Sequence, residues 1–419
     1  MVDRSIAPKA DIITAFSLPE ISKRKICGNI ETTMVNQGDQ PIIILDLVFP
    51  VGKVNDPIQH LTYFTAKLLA EGTKTRSSAQ IASEIDFYGG YLEITPTIDH
   101  VSFRVYALKK FFPEILGILM DIISNPTFPE NEIINLKNIR SQQIKQLLSR
   151  NSTVASIELR KSLFGETHPY GSPIDSKSIQ KISRDFITEH YHRIIHTQSR
   201  LFLAGEVTDD IINIIQDAFS SLKFKSIDET DFPIPSPDGN CIIEKADSVQ
   251  SSIRLGKITL GRRDPEIYSL KVANELLGGF FGSRLMKNIR EIKGLTYGIH
   301  SSIVHLQHYS YWQISSDILK EKKDEAISEI LKEIEILQKN EPSIEELETL
   351  KNYMKGKLLG SFDHIFNSLE LIKSIDLDGI PISYWQNLLD TINEVTPESI
   401  STAAKKHFPM DELTQVVVG

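Results

Sequence analysis

Leu277-Gly278-Gly279-Phe280-Phe281-Gly282-Ser283-Arg284-Leu285, continuing through Asn288-Ile289-Arg290-Glu291-Ile292-Lys293 to Gly294-Leu295-Thr296-Tyr297, reads as a glycine turn, a helix and the opening of a strand. Apolar residues at Leu285, Ile289 and Ile292 keep helical spacing over 281–293, and Gly294 is the residue expected just past a helix C-terminus. Tyr297 then starts the next strand. If that strand folds back beside the helix, Arg290 in the last turn and the Tyr297 hydroxyl converge as two donors aimed at a carbonyl. Spacing alone leaves an ordinary structural reading open, since the macrodipole favours arginine in a last turn and tyrosine is a good strand former. No G-K-[ST] follows Gly278, Gly279 and Gly282, so these form a tight turn that lets helix and sheet approach, not a phosphate loop.

Outward from this stretch, the order of elements occurs twice. In the first half an alternating stretch over 42–51 leads to Asp56-Pro57, a helix over 58–70, and Phe87-Tyr88-Gly89-Gly90-Tyr91 opening a strand pair. A helix around 115–123, Asn125-Pro126, and Leu136-Lys137-Asn138 in a helix over 134–148 follow. The second half has a strand over 253–260, Asp264-Pro265, a helix over 267–277, and a strand pair opened by Tyr297. A helix around 326–337, Glu341-Pro342 and Leu350-Lys351-Asn352 complete it. The offsets are 208 residues at the Asp-Pro pair, 216 at the later X-Pro pair and 214 at Leu-Lys-Asn, which two copies of one αβ unit explain most simply. Residues 231–240 carry three prolines and a glycine, so the chain divides into 1–228, a linker at 229–241, and 242–419. Paired strands with polar turns and paired helices with short connections predict an α+β fold with antiparallel-dominated sheets covered by helices.

G-G-x-x-x-S-R-L followed by R-E-x-K-G-L-x-Y resembles the C-terminal-half signature of the pitrilysin, insulinase and mitochondrial processing peptidase family of zinc metallopeptidases. The resemblance runs over nearly the whole chain. It implies two homologous αβ halves, each an antiparallel-dominated sheet with helices on one face, arranged like a clam shell, with strands at 197–206 and 415–419 closing the copies. It also implies that Arg290 and Tyr297 bind the scissile region of a substrate. Catalytic members carry H-x-x-E-H shortly before a Gly-Thr pair, the histidines binding zinc and the glutamate acting as general base. Gly72-Thr73 is present here, but the histidine positions hold Tyr63 and Lys67 and the base position holds Ala66. The position of the family's third ligand, a glutamate, holds Gln143. No metal is therefore expected in this chain, and the charge of Lys67 opposes a dication. What the resemblance implies is the non-zinc subunit of a heterodimeric metallopeptidase of the short two-chain bacterial type. Such a subunit is inactive alone and completes an endopeptidase with a homologous H-x-x-E-H-bearing partner that holds the zinc. It supplies Arg290 and Tyr297 for carbonyl binding and transition-state stabilisation on unfolded peptides, and in isolation it forms a monomer or a homodimer. The alternative is a catalytically inactive scaffold or peptide-binding relative.

Composition narrows the remainder. At 419 residues two or more domains are expected, and 46 basic against 55 acidic residues disfavours nucleic acid or an anionic membrane as partner. Cys27 and Cys241 are too few for a disulfide framework and read as buried thiols. Residues 1–8 lack a signal pattern, and the apolar run 41–51 is short and interrupted by Asp46, so a cytoplasmic location with no membrane is expected. His192 and His196 have the spacing of a metal pair beside Glu189 and His190. They follow His168-Pro169-Tyr170-Gly171, however, and resemble a family helix that carries no ligands. His300, His305 and His308 read as core or solvent histidines, with His300 nearest to a peptide bound at Tyr297. The helix over 321–339 is an amphipathic cover.

Overall fold

The computed structural model describes residues 18–27, 30–37, 40–225 and 232–419. Residues 1–8 and positions 229–231 of the expected linker lie outside the described residues. Among the described residues eleven strands form two sheets. The first joins β1 (Glu20–Ile26), β2 (Ile30–Asn36), β3 (Ile42–Phe49), β4 (Tyr91–Pro96), β5 (Val101–Leu108) and β6 (Arg200–Gly205) in the order β1-β2-β6-β3-β5-β4. The second joins β7 (Cys241–Ile243), β8 (Gln250–Thr259), β9 (Thr296–His305), β10 (Ser310–Leu319) and β11 (Thr414–Val418) in the order β7-β11-β8-β10-β9. Only β2 with β6 and β7 with β11 run parallel. The run β2-β6-β3-β5-β4 thus has the same order and strand directions as the whole second sheet.

Strand β3 shows why these residues make this architecture. Ile43, Leu45, Leu47 and Phe49 point to one face and join the core built with the helices Leu61–Leu68, Phe112–Ser124 and Asp209–Phe219. Ile44 and Val48 point to the other face and are equally buried, so the strand reads as an almost unbroken apolar run. Each sheet has its own helices on one face, and on the other lies one helix from the opposite half. Leu369 and Ile372 of helix Ile365–Asp376 cover Ile44, Val48 and Phe202 of the first sheet. Ala155 and Leu159 of helix Asn151–Phe164 cover Tyr311, Val416 and Val418 of the second. Gly256 in β8 makes room for that crossing, since a Cβ there would stand 3.2 Å from the Leu159 side chain and 2.8 Å from the Trp312 carbonyl oxygen.

Four details differ from the expectations. Gly278 and Gly279, expected in a tight turn, close the π-helical stretch Glu275–Gly279. The helix expected over 281–293 has a turn at Phe281–Gly282, and its body Met286–Ile292 widens to π geometry, with Lys293 N–H bonded to Asn288 O, five residues back. Gly294 follows in the left-handed region at φ 62°. Cys27 and Cys241 are free but half-buried rather than buried, because one ends β1 in a left-handed turn and the other opens the edge strand β7.

Candidate functional site

The segment carrying Arg290 is held rigidly. Leu285, Met286 and Ile289 enter the core of the second half, and Arg284 grips Glu346 through two bonds of 2.8 and 2.9 Å. Asn288 donates to Glu329 and Glu333 at 3.1 and 2.8 Å. Arg290 itself is half-buried, its guanidinium 4.7 Å from the centre of the Phe281 ring, and it makes no ion pair among the described residues. Tyr297 is the second residue of β9, the outer strand of its sheet, and is 92 % exposed.

A β-bulge presents Tyr297. Thr296 pairs with Ile318 and Ile299 with Ser316, leaving one extra residue on β9. The Thr296 hydroxyl donates to the Asp317 carbonyl at 2.8 Å and accepts from Gly298 N–H at 3.1 Å, while Ser316 donates to the Gly298 carbonyl at 2.9 Å. Arg290 and Tyr297 thus stand on either side of one fixed turn.

In the other half, Tyr63 and Gln143 are brought together across the helices Leu61–Leu68 and Glu130–Ser149. The Tyr63 hydroxyl donates to Gln143 Oε1 at 3.4 Å. Ala66 is buried in the core and Lys67 is exposed. Arg140, which the sequence reading passed over, fills this corner: its guanidinium lies 4.1 Å from the Tyr63 ring centre and its Nη1 donates to Gln143 Oε1 at 3.4 Å. A phenol, an amide and a guanidinium do not fit a divalent cation. Arg140 and Gln143 stand three apart on one helix, which was the available signal. The Gly72-Thr73 pair has its own structural work, as Gly72 sits at φ 149° and Thr73 donates to Asp121 at 2.6 Å. Burial raises the Asp121 pKa, but donors from Thr73, Thr75, Asn125 and Arg76 outweigh it and bring it down to about 2.

Between the halves lies a polar groove of about 1170 Å³, which includes none of Arg290, Tyr297, Tyr63 or Gln143. Its floor carries a buried charge network also missed from sequence. Asp46, fully buried on β3, is bonded by Ser102, Arg104 and, at 2.9 Å, Lys373 from the crossing helix. Burial pushes the Asp46 carboxyl up, but Lys373 and Arg104 hold it below the usual range. An aspartate amid an apolar strand was the sign that a cation must meet it.

Apart from His300, these histidines meet neighbouring groups of the fold. His190 meets the Thr62 hydroxyl at 2.8 Å, His192 stacks on His196 at 5.9 Å, and His196 reaches the Lys223 carbonyl at 3.2 Å. His305 contacts Ser310 at 2.8 Å and His308 stacks on Phe232 at 3.8 Å, while His300 is exposed on β9. Burial, then the charges of Lys271 and Arg262, lowers His305 to about 2. Among the described residues no three His, Cys, Asp or Glu side chains stand together to hold a metal ion.

Residues 34–174 match the family described as Insulinase (Peptidase family M16), and residues 181–354 match the Peptidase M16 inactive domain. The chain belongs to peptidase family M16. Among its M16 relatives is a Bacillus subtilis protein named uncharacterized zinc protease YmxG, 25 % identical over 84 % of this chain and 87 % of the relative. Another is the Helicobacter pylori protein named non-peptidase homolog YmxG, 24 % identical over 88 % of this chain and 86 % of the relative. The crystal structure of a peptidase M16 inactive domain from Pseudomonas fluorescens superposes with a TM-score of 0.87 at 24 % identity, covering 95 % of this chain and 98 % of that one. The M16 clam-shell fold is thereby shown for this chain. No helix among its described residues is long and apolar enough to cross a membrane.

Proposed function

We propose that this chain is the non-zinc subunit of a two-chain M16 peptidase, contributing Arg290 and Tyr297 to a site whose metal is held by a homologous H-x-x-E-H-bearing subunit. The contrast between the two corners carries the reading. Where the family's ligands would stand, a guanidinium stacks on Tyr63 and bonds Gln143. At the other corner a rigid turn presents an arginine without an ion pair among the described residues and a tyrosine 92 % exposed.

The chain's own contribution is electrostatic. As water adds to a peptide carbonyl, negative charge gathers on the oxygen, and the Arg290 fork and Tyr297 hydroxyl donate hydrogen bonds to it. Removing one such donor costs about a hundred- to a thousandfold in rate. Strand β9 ends its sheet, so its outer backbone groups suit pairing with an extended, unfolded peptide. The two free thiols accord with a cytoplasmic setting. In the reconstituted pair, Arg290→Ala and Tyr297→Phe each lower kcat by about a hundredfold or more while the subunits still co-purify. Arg290→Lys does not restore the rate, because one ammonium cannot reproduce the guanidinium fork. Equal kcat for wild-type and Arg290→Ala pairs removes the assignment.

The second reading, an inactive scaffold or peptide-binding subunit, is favoured by the name of the Helicobacter pylori relative, a non-peptidase homolog. It predicts that a partner chain has full activity without this one.

A further inference from the structure

Around Tyr63 and Gln143 the chain gathers more cations than carboxylates, Asp56 opposing the charge of Lys53. Lys53, Lys67, Arg140 and Arg160 make no ion pair among the described residues. Arg76, Arg104, Arg200, Arg262 and Arg284 do, whereas Arg290 in the other half does not, in a chain whose net charge is -9. Lys53 is half-buried in the turn Lys53–Asn55, and burial, then the charges of Arg160 and Arg140, lower its pKa against the opposing charge of Asp56. Both Arg140 and Lys53 also depress His60. The nearby carboxylate, Asp56, is buried, and its Oδ1 is engaged by the Thr62 amide and hydroxyl.

The arginine at the centre is oriented in advance. Its guanidinium lies against the Tyr63 ring at 4.1 Å, Nη1 touches Gln143 at 3.4 Å, and Nε is buried without a hydrogen-bond partner. Holding the planar fork in place reduces the entropy lost when a planar anion meets it.

We propose that this corner is a carboxylate-binding site, with Arg140 as the fork and Lys53 and Lys67 as flanking charges, taking a peptide's C-terminal carboxylate or an acidic side chain. Where the family holds a dication, this chain would hold an anion. The site is independent of the role given to Arg290 and Tyr297, and either assignment can fail alone.

The test uses the purified full chain and three N-acetyl alanine tetrapeptides, titrated by calorimetry: one with a free C-terminal acid, one amidated, and one amidated with a glutamate inside. At least one carboxylate-bearing peptide binds about tenfold or more tightly than the plain amide, since charge-assisted bidentate bonds are the strong ones. Which of the two does so identifies the source of the carboxylate. Arg140→Gln and Lys53→Met each erase the advantage, while Lys339→Gln in the other half leaves it. The proposal is overturned if all three peptides bind alike or none binds, or if the advantage survives both substitutions.

Discussion

Asp56 shows how one buried group sets a pH response. Its Oδ1 accepts from the Thr62 amide at 2.8 Å and hydroxyl at 2.5 Å, capping the start of helix Leu61–Leu68, while Oδ2 is buried without a partner. Burial raises its pKa to about 6, the Thr62 hydrogen bonds opposing this only in part. Because the folded value lies above the ordinary 3.8, its stabilising contribution is complete below about 4 and is lost as pH rises through about 6. Asp56→Asn keeps an acceptor for Thr62 and removes the buried charge. We expect the variant to be more stable at neutral pH by on the order of 1–3 kcal/mol, the difference vanishing near pH ~4. Circular dichroism melts across that range check this, and a variant that melts lower at neutral pH contradicts it. His60 and His190, both lowered to about 4 chiefly by burial, act in the opposite sense in both proteins. At this scale the sequence was legible where residues could be counted from a fixed mark: Tyr63 and Gln143, placed from Gly72-Thr73, do meet. Arg140 was not, because its role depends on which ring its planar head lies against.

The turn from helix to β9 is the element on which the proposed site depends. Gly294 holds φ 62° with open space around its Cα, so Gly294→Ala meets no clash and carries only backbone strain, about 1 kcal/mol. Gly278 is the reverse case: a Cβ there would stand 2.7 Å from Ser301 Cβ, so Gly278→Ala costs about 1–3 kcal/mol by pushing helix from strand. Thr296→Val removes the hydroxyl that pins the bulge. Hydrogen exchange should show faster opening at the start of β9, with kcat of the reconstituted pair falling although Arg290 and Tyr297 are untouched; unchanged exchange and kcat would mean that the bulge does not position Tyr297. Periodicity made the helices and strands legible here. The π widening of Met286–Ile292 was not, because Leu285, Ile289 and Ile292 are spaced as on an ordinary helical face, although Ile292 stands 77 % exposed.

Across the whole molecule, the halves are locked by exchange of helices. The second half's Leu369 and Ile372 cover the first sheet, and the first half's Leu159 covers the second. Buried charges cross as well, Lys373 reaching Asp46 at 2.9 Å. Residues 1–228 and 242–419 expressed separately should therefore be insoluble, and Leu159→Ala should destabilise the intact chain by about 2–5 kcal/mol. Two separately soluble, folded halves would contradict the interlock. The Asp-Pro and Leu-Lys-Asn offsets pointed to two copies of one unit, but helix exchange was not readable, since a helix's apolar face does not say which sheet will cover it. The proposed site is completed by another chain. Its most direct test is cleavage of a quenched fluorescent peptide by this chain co-expressed with the H-x-x-E-H-bearing homologue from the same genome, with each subunit alone as control. Activity is expected in the mixture only and is lost with Arg290→Ala. Full activity of the other subunit alone, or co-purification without activity, would contradict it.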